Sequence, residues 1–212
     1  SELALSHGDD SVLERHHAST FHRLLDKNNI FEHLPVDEQK ALRLAITRAI
    51  IATDAALHVQ HVADLESWPQ KVIETTETGN TDRNFSDSLS DYFLSHNDSR
   101  QRLLGNLMHA ADLGGQVMGE QLSTQWGNRI CAEFTKQVHD EKGAGLPVTS
   151  YMTGMEDRAT MSKSQASFIK HVVIPLWAAV SVLFPNLSHR CQCAADNQKR
   201  FEDIYASCES AL

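Results

Sequence analysis

Apolar residues recur along this chain with helical spacing, and strand-like alternation hardly occurs. Leu42, Ala45, Ile46, Ala49, Ile50 and Thr53 follow the three-to-four spacing of one helix face, with Pro35 and Asp37 just before it as start signals. Leu103, Leu104, Leu107, Met108 and Ala111 repeat the pattern behind the N-cap types Asp98 and Ser99. Leu122, Trp126, Ile130 and Phe134 stand four apart throughout. Phe168, Val172, Leu176, Trp177, Val180 and Phe184 predict a long apolar helix, which Pro175 should kink or bound. Residues 11–25 read as a further helix and 201–212 as a short terminal one. Residues 75–91, rich in Thr, Ser, Asn and Asp, and residues 143–157, with three Gly and Pro147, read as loops. No repeat or linker interrupts the pattern, so a single all-α domain over 1–212, a compact multi-helix bundle, is expected.

Composition narrows the partners. Nineteen basic residues against 28 acidic ones leave a net charge of −9, which offers no electrostatic footprint for nucleic acid or an anionic membrane. The longest apolar run, near 172–184, is short for a bilayer and broken by Pro175, so no membrane span is expected. The four cysteines, Cys131, Cys191, Cys193 and Cys208, lack the pair-of-pairs spacing of a zinc ribbon and read as reduced thiols of a cytoplasmic protein. The chain starts at Ser1 without methionine and runs straight into apolar sequence, as a piece of a longer protein would. Twelve histidines are many for this length.

Several polar residues occupy places that a helical core would not choose. Glu14, His16 and His17 crowd one helix, and because neighbours face different sides, at most one histidine of the pair points inward. Thr53 and Asp54 end one apolar stripe, where Asp54 alone reads as a solvated helix end. His109 and Asp112 end another, three residues apart. A carboxylate ending an apolar stripe is expected to be partly buried and to need a partner; a divalent cation is one candidate and a hydrogen-bonded pair is the commoner one.

Taken in order, the blocks SELAL, DDSVLERHHAS, IATDAALH and MHAADL, then Trp126 with Ile130 and Phe134, then KSQASFIKHVVIPLW, resemble the catalytic domain of the class I 3′,5′-cyclic-nucleotide phosphodiesterases. The resemblance runs from about Glu2 to Tyr205. It implies an all-helical fold of the HD-superfamily type and hydrolysis of cAMP or cGMP to the 5′-nucleotide in cyclic-nucleotide signalling. It also implies two divalent metals, zinc with magnesium or manganese, that activate water. Asp112 matches the metal-ligating aspartate. Glu14 and Thr53 match residues that hold metal-bound waters, and Asp54 and His17 match polar residues nearby. Gln165 matches the glutamine that hydrogen-bonds the purine; Phe168 and Ile130 match the clamp on the two faces of the base; Phe134 and Trp126 match pocket-lining positions.

The departures matter as much. The family blocks HNxxHA and HDxxH do not occur in the sequence, and His139–Asp140, the one His–Asp pair, lies in the wrong block. Gly115 stands where the family carries a purine-contacting Asn, Arg15 where Asn is usual, Ala55 where Met is frequent, and Val138–His139 where Gly–Asp is common. The chain therefore reads as about two-thirds of a catalytic domain, lacking its N-terminal part and inactive alone. A degenerate nucleotide-binding or regulatory module is the alternative. A cyclic nucleotide is the expected ligand, and a homodimer is the assembly to test for. Exposed apolar surface is expected if further polypeptide packs on these helices.

Overall fold

The computed structural model describes residues 2–76 and 84–210, all of them helix, turn or irregular segment. The chain forms two compact units, Ser1–Asp112 and Leu113–Leu212.

The first unit holds α1 (Glu2–His7), α2 (Val12–Asn28), α3 (Val36–Ile51), α4 (His58–Thr76), α5 (Phe85–Ser95) and α6 (Asn97–Asp112). Pro35 precedes α3, where a residue without a useful N–H costs nothing. The Asn84 side chain accepts from the Asp87 amide and starts α5. That helix begins inside the 75–91 stretch expected to be a loop, and α4 reaches Thr76; the remainder of that stretch, 77–83, lies outside the described residues. The expectation erred there because Ser and Asp read as loop residues, whereas here they form the first turn and the solvent face of a helix.

Leu65, Trp68 and Val72 of α4 and Leu89, Tyr92 and Phe93 of α5 are buried, and the Trp68 and Phe93 rings meet edge-on with centroids 5.2 Å apart. Neither helix figured in the periodicity reading. Pro69 lies inside α4 without ending it, and α5 is short.

The second unit holds α7 (Glu120–Gly143), α8 (Arg158–Phe168), α9 (Ile174–Leu183) and α10 (Ser188–Glu209). The terminal helix expected over 201–212 thus begins at Ser188, its first half too polar to show an apolar stripe. Residues Ile169–Val173 form a π-turn that joins α8 to α9 in one continuous helical run. Pro175 has no N–H to give, and it stands in the first turn of α9, so it marks the boundary between the π-turn and that helix. The combined helix is long and apolar enough to cross a membrane by length and composition. Its Ile169, Val173, Leu176 and Val180, however, are each at most 1% exposed. Ile169 and Val173 pack with Val117, Ala166, Ala194 and Phe201, making it the core helix of this unit.

Two helices turn an unexpected face inward. In α6 the buried residues are Leu103, Gly105, Asn106, His109 and Ala110, while Leu104 and Met108 of the expected apolar stripe are about half exposed. In α7 the buried residues are Ser123, Gly127, Cys131 and Val138, and Leu122, Trp126 and Ile130 face out. Small and polar side chains let these helices approach their neighbours closely. A Cβ on Gly105 would stand 2.9 Å from the Ala52 Cβ. α3 has an apolar stripe and no buried residue at all.

Candidate functional site

Within the first unit, the polar residues singled out from the sequence gather around the ends of three helices. Asp54 follows α3 and caps the short 3₁₀ turn Ala55–Leu57: its Oδ1 accepts from the Ala56 amide at 2.8 Å. Its Oδ2 accepts from the Ser11 hydroxyl at 2.7 Å. Ser11 has φ 48°, in the left-handed region that is strained for a residue with a Cβ. That conformation sends the hydroxyl to Asp54 instead of capping its own helix, α2. The Ser11 hydroxyl, and then the Ala56 amide, hold the Asp54 carboxyl below the usual carboxylate value. Asp54 is thus a half-buried tie between the start of α2 and the end of α3, not the solvated helix end expected from sequence.

Thr53 donates its hydroxyl to the Ile50 carbonyl at 2.8 Å. Glu14 is half-buried on α2 and His17 is exposed there, with the His16 ring 6.1 Å away. Asp112, the last residue of α6, is exposed. The partial burial expected for it fails because the buried face of α6 runs through Asn106, His109 and Ala110 and leaves Asp112 on the outer side.

The rings of three histidines from α4 and α6 also meet in this unit. His109 is 2% exposed. Its Nε2 lies 3.1 Å from Nδ1 of His58, and its own Nδ1 has no partner. Burial first, then the charges of His61 and His58, push His109 down to about 4, so the ring is neutral near neutral pH. Burial and His61 lower His58 as well. His61, 7% exposed, bonds at both ends: Nδ1 to Asn106 Oδ1 at 2.8 Å and Nε2 to the Ala52 carbonyl at 2.9 Å. The spacing His58-x-x-His61 on one helix was the available clue.

Within the second unit, the predicted purine residues sit on α7 and α8. Gln165 is 5% exposed at the centre of a hydrogen-bonded chain. The Ser123 hydroxyl donates to Gln116 Oε1 at 2.5 Å. Gln116 Nε2 then donates to Gln165 Oε1 at 3.0 Å, and Gln165 Nε2 points to Cys131 Sγ at 3.5 Å. Asn197 of α10 holds the segment carrying Gln116, donating to the carbonyls of Gln116 at 3.0 Å and Met118 at 2.8 Å. Each amide is thereby fixed in one orientation, and burial raises the Cys131 thiol. Gln165 keeps one N–H and one lone pair for a ligand, a donor and an acceptor side by side.

Phe168 is half-buried one turn on from Gln165, against the apolar core. Ile130 is 38% and Trp126 47% exposed on the outward stripe of α7, with Phe134 half-buried and edge-on to Tyr151 at 6.0 Å. Gly127, between these positions, makes room for the amide: a Cβ there would stand 3.3 Å from Gln165 Oε1. Gly115 has a steric reason too, since a Cβ would meet the Trp126 Cγ at 2.9 Å, so this packing has no room for the family's Asn. His139 and Asp140 are exposed, and Asp140 pairs with Lys136 at 2.6 Å, an ion pair on a solvated helix face.

Residues 1–194 match the family model described as 3′5′-cyclic nucleotide phosphodiesterase. The chain belongs to that family. It is 31% identical over 205 residues to 3′,5′-cyclic-AMP phosphodiesterase 4C of Mus musculus, covering 95% of this chain and 28% of the relative. To a probable 3′,5′-cyclic phosphodiesterase, pde-3, of Caenorhabditis elegans it is 34% identical over 181 residues, covering 84% and 23%. Among solved structures it is similar to the phosphodiesterase domain of the RhoPDE fusion protein from the choanoflagellate Salpingoeca rosetta, with a TM-score of 0.84 and 30% identity. That match covers 99% of this chain and 62% of the solved one. The chain thus spans about three fifths of the solved phosphodiesterase domain and about a third or less of its curated relatives. The helical fold expected from the resemblance is the fold found.

Phosphodiesterases of this family use divalent metals. The donors in this chain do not fit a metal centre by themselves: among the described residues, no three His, Cys, Asp or Glu side chains group closely enough to hold an ion. Asp54 spends both carboxylate oxygens on Ser11 and Ala56, and the neutral ring of His109 turns its Nε2 to His58. Asp112, the position that the resemblance matches to a metal ligand, is an exposed carboxylate at the end of α6. A zinc site needs three or four protein donors.

Proposed function

We propose that this chain serves the hydrolysis of 3′,5′-cyclic nucleotides, cAMP or cGMP, to 5′-nucleotides, as the purine-binding part of a phosphodiesterase catalytic domain. The observation that carries this reading is the Gln165 amide, buried and oriented by Gln116, with Phe168 one turn further along on the same helix. A planar donor–acceptor pair beside an aromatic ring is what a purine edge and face require. Ile130 supplies the opposite wall, and Trp126 and Phe134 line the pocket. Asp112 is the carboxylate this chain contributes to the family's two metals, zinc with magnesium or manganese. Glu14, Thr53, Asp54 and His17 shape its surroundings. Four unpaired thiols suit a reducing compartment, and we place the protein in the cytoplasm. A homodimer is the assembly to test by sedimentation.

Calorimetry of the 212-residue chain with cAMP and cGMP tests the purine reading. Binding that Gln165→Ala weakens at least tenfold supports it; no heat at millimolar nucleotide overturns it. That no donor cluster forms among the described residues favours a second reading, a nucleotide-binding module without turnover. Product analysis with zinc and magnesium present separates the two: 5′-nucleotide formation that stops in Asp112→Ala supports hydrolysis, and binding without product supports the module.

A further inference from the structure

His61 lies where three segments of the first unit meet, and it is flanked by two acceptors. The Ala52 carbonyl, just past the end of α3, stands 2.9 Å from Nε2, and the Asn106 Oδ1 of α6 stands 2.8 Å from Nδ1. The Asn106 orientation is set by its own Nδ2, which donates to the His61 carbonyl at 3.3 Å. Turning that amide over would place oxygen against oxygen. A neutral imidazole has one N–H and satisfies one of these acceptors; the doubly protonated ring satisfies both.

His109 and His58, with ring centroids 4.7 Å from His61 to His109 and 5.3 Å from His58 to His109, are both held toward the neutral form. The charged groups facing the junction come from every element around it. α3 brings Arg48, α4 brings Asp64, and α6 brings Asp98 and Arg102; all four line a cavity of about 440 Å³ together with His61. Asp64 is neutralised by a bidentate contact from Arg102. Asp54, in the turn after Ala52, draws on His109. The cavity gives the ring a route for proton exchange with solvent.

We propose that His61 is a proton-dependent clasp, a positioning residue that ties the turn carrying Thr53 and Asp54 to the helix ending in Asp112 while its ring holds both protons. Losing one proton releases one of the two ties, and the turn is then held from one side only. The clasp stands on this geometry alone; its bearing on turnover rests on the reading of Asp112, Thr53 and Asp54 given above.

The test is a titration of the whole chain from about pH 5.5 to 8, read by long-range ¹H–¹⁵N spectra of the histidine rings and by amide exchange. The expected result is N–H at both His61 nitrogens at the acid end and at one nitrogen at the basic end. Exchange of the Thr53 and Asp54 amides speeds up about tenfold over the same range, the scale of one hydrogen bond to a charged group. His61→Gln, which cannot donate at both ends, should show fast exchange that no longer depends on pH. Asn106→Asp, which offers a carboxylate to the ring, should move the change to higher pH. A single neutral tautomer throughout, or an unaltered exchange profile in a folded His61→Gln, overturns the proposal. If His61→Gln does not fold, the wild-type spectra and the Asn106→Asp shift decide. None of these readouts needs nucleotide or metal, so failure of the phosphodiesterase reading would leave them intact.

Discussion

The two units solve the problem of a buried polar group in opposite ways. In the second, the chain Ser123, Gln116, Gln165 and Cys131 gives each amide a defined partner, and no member need gain or lose a proton near neutral pH. In the first, the rings of His58, His61 and His109 meet one another, and His109 Nδ1 is left without a partner. Amide chains hold one geometry over a wide pH range; histidine clusters hold a geometry that depends on protons. The residues matched to purine recognition rest on the first kind of scaffold, and those matched to the metal rest on the second.

The widest separation between the two should come from Asp112→Ala. In a preparation that turns over cyclic nucleotide, activity should vanish while Tm stays put, because the side chain is exposed; a large Tm loss would contradict that placement. Next come the close approaches. Gly105→Ala drives a Cβ to 2.9 Å of Ala52, backbone-rooted on both sides, and should cost about 1–3 kcal/mol in chemical denaturation. Gly115→Asn, which meets the root of Trp126, should cost a similar amount.

Acidification gives a sharper contrast. His109 has an ordinary value of 6.5 in the unfolded chain and about 4 when folded, so the unfolded state binds the extra proton between them. Stability should therefore fall as pH drops from 6.5 toward 4, by on the order of 2 kcal/mol. His109→Gln should flatten that limb of the stability profile, and a slope unchanged in the variant would refute the assignment. No group in the amide chain contributes such a slope.

Gln116→Leu should leave Gln165 Oε1 without its donor and cost about 1–3 kcal/mol, read as a rise in nucleotide Kd and a change in the ratio between cAMP and cGMP. Equal weakening for both nucleotides would show that the chain supports the fold without orienting the amide. The smallest effect belongs to Lys136→Ala, whose exposed pairing with Asp140 should leave Tm unchanged within measurement error.

Much of the fold was legible from spacing. The helices ending in Ile51 and Asp112, and the one holding Ile130, were placed by their apolar repeats. Which face they bury was not, because α6 and α7 turn their small and polar stripes inward: Asn106 and His109 in one, Ser123, Gly127 and Cys131 in the other. Across the helix boundary Asn106 meets His61, His109 meets His58, Ser123 meets Gln116, and Gln165 lies against Gly127 and Cys131; a hydrophobicity pattern carries no trace of that. The residues matched to purine recognition, and Asp112, were named through the resemblance and not through spacing. Gln116 and His61 were not: one lies among glycines and the other on a helix that the pattern missed, and each takes its meaning from residues more than forty positions away.

The π-turn at Ile169–Val173 sets the tolerance of this chain to insertion and deletion. It holds one residue more than an α-helical turn, so a one-residue deletion there would restore regular winding and keep the helix whole. Because the wider turn already takes up that residue, the deletion would leave Gln165 and Phe168 nearly in place about the axis relative to Leu176 and Val180, whereas one further inserted residue would rotate them by roughly 100°. The core could accept such a shift by repacking, whereas an amide aimed at Gln116 could not. Insertion here should therefore separate folding from recognition in a way no single substitution can, yielding proteins that are helical and stable but have lost their ligand.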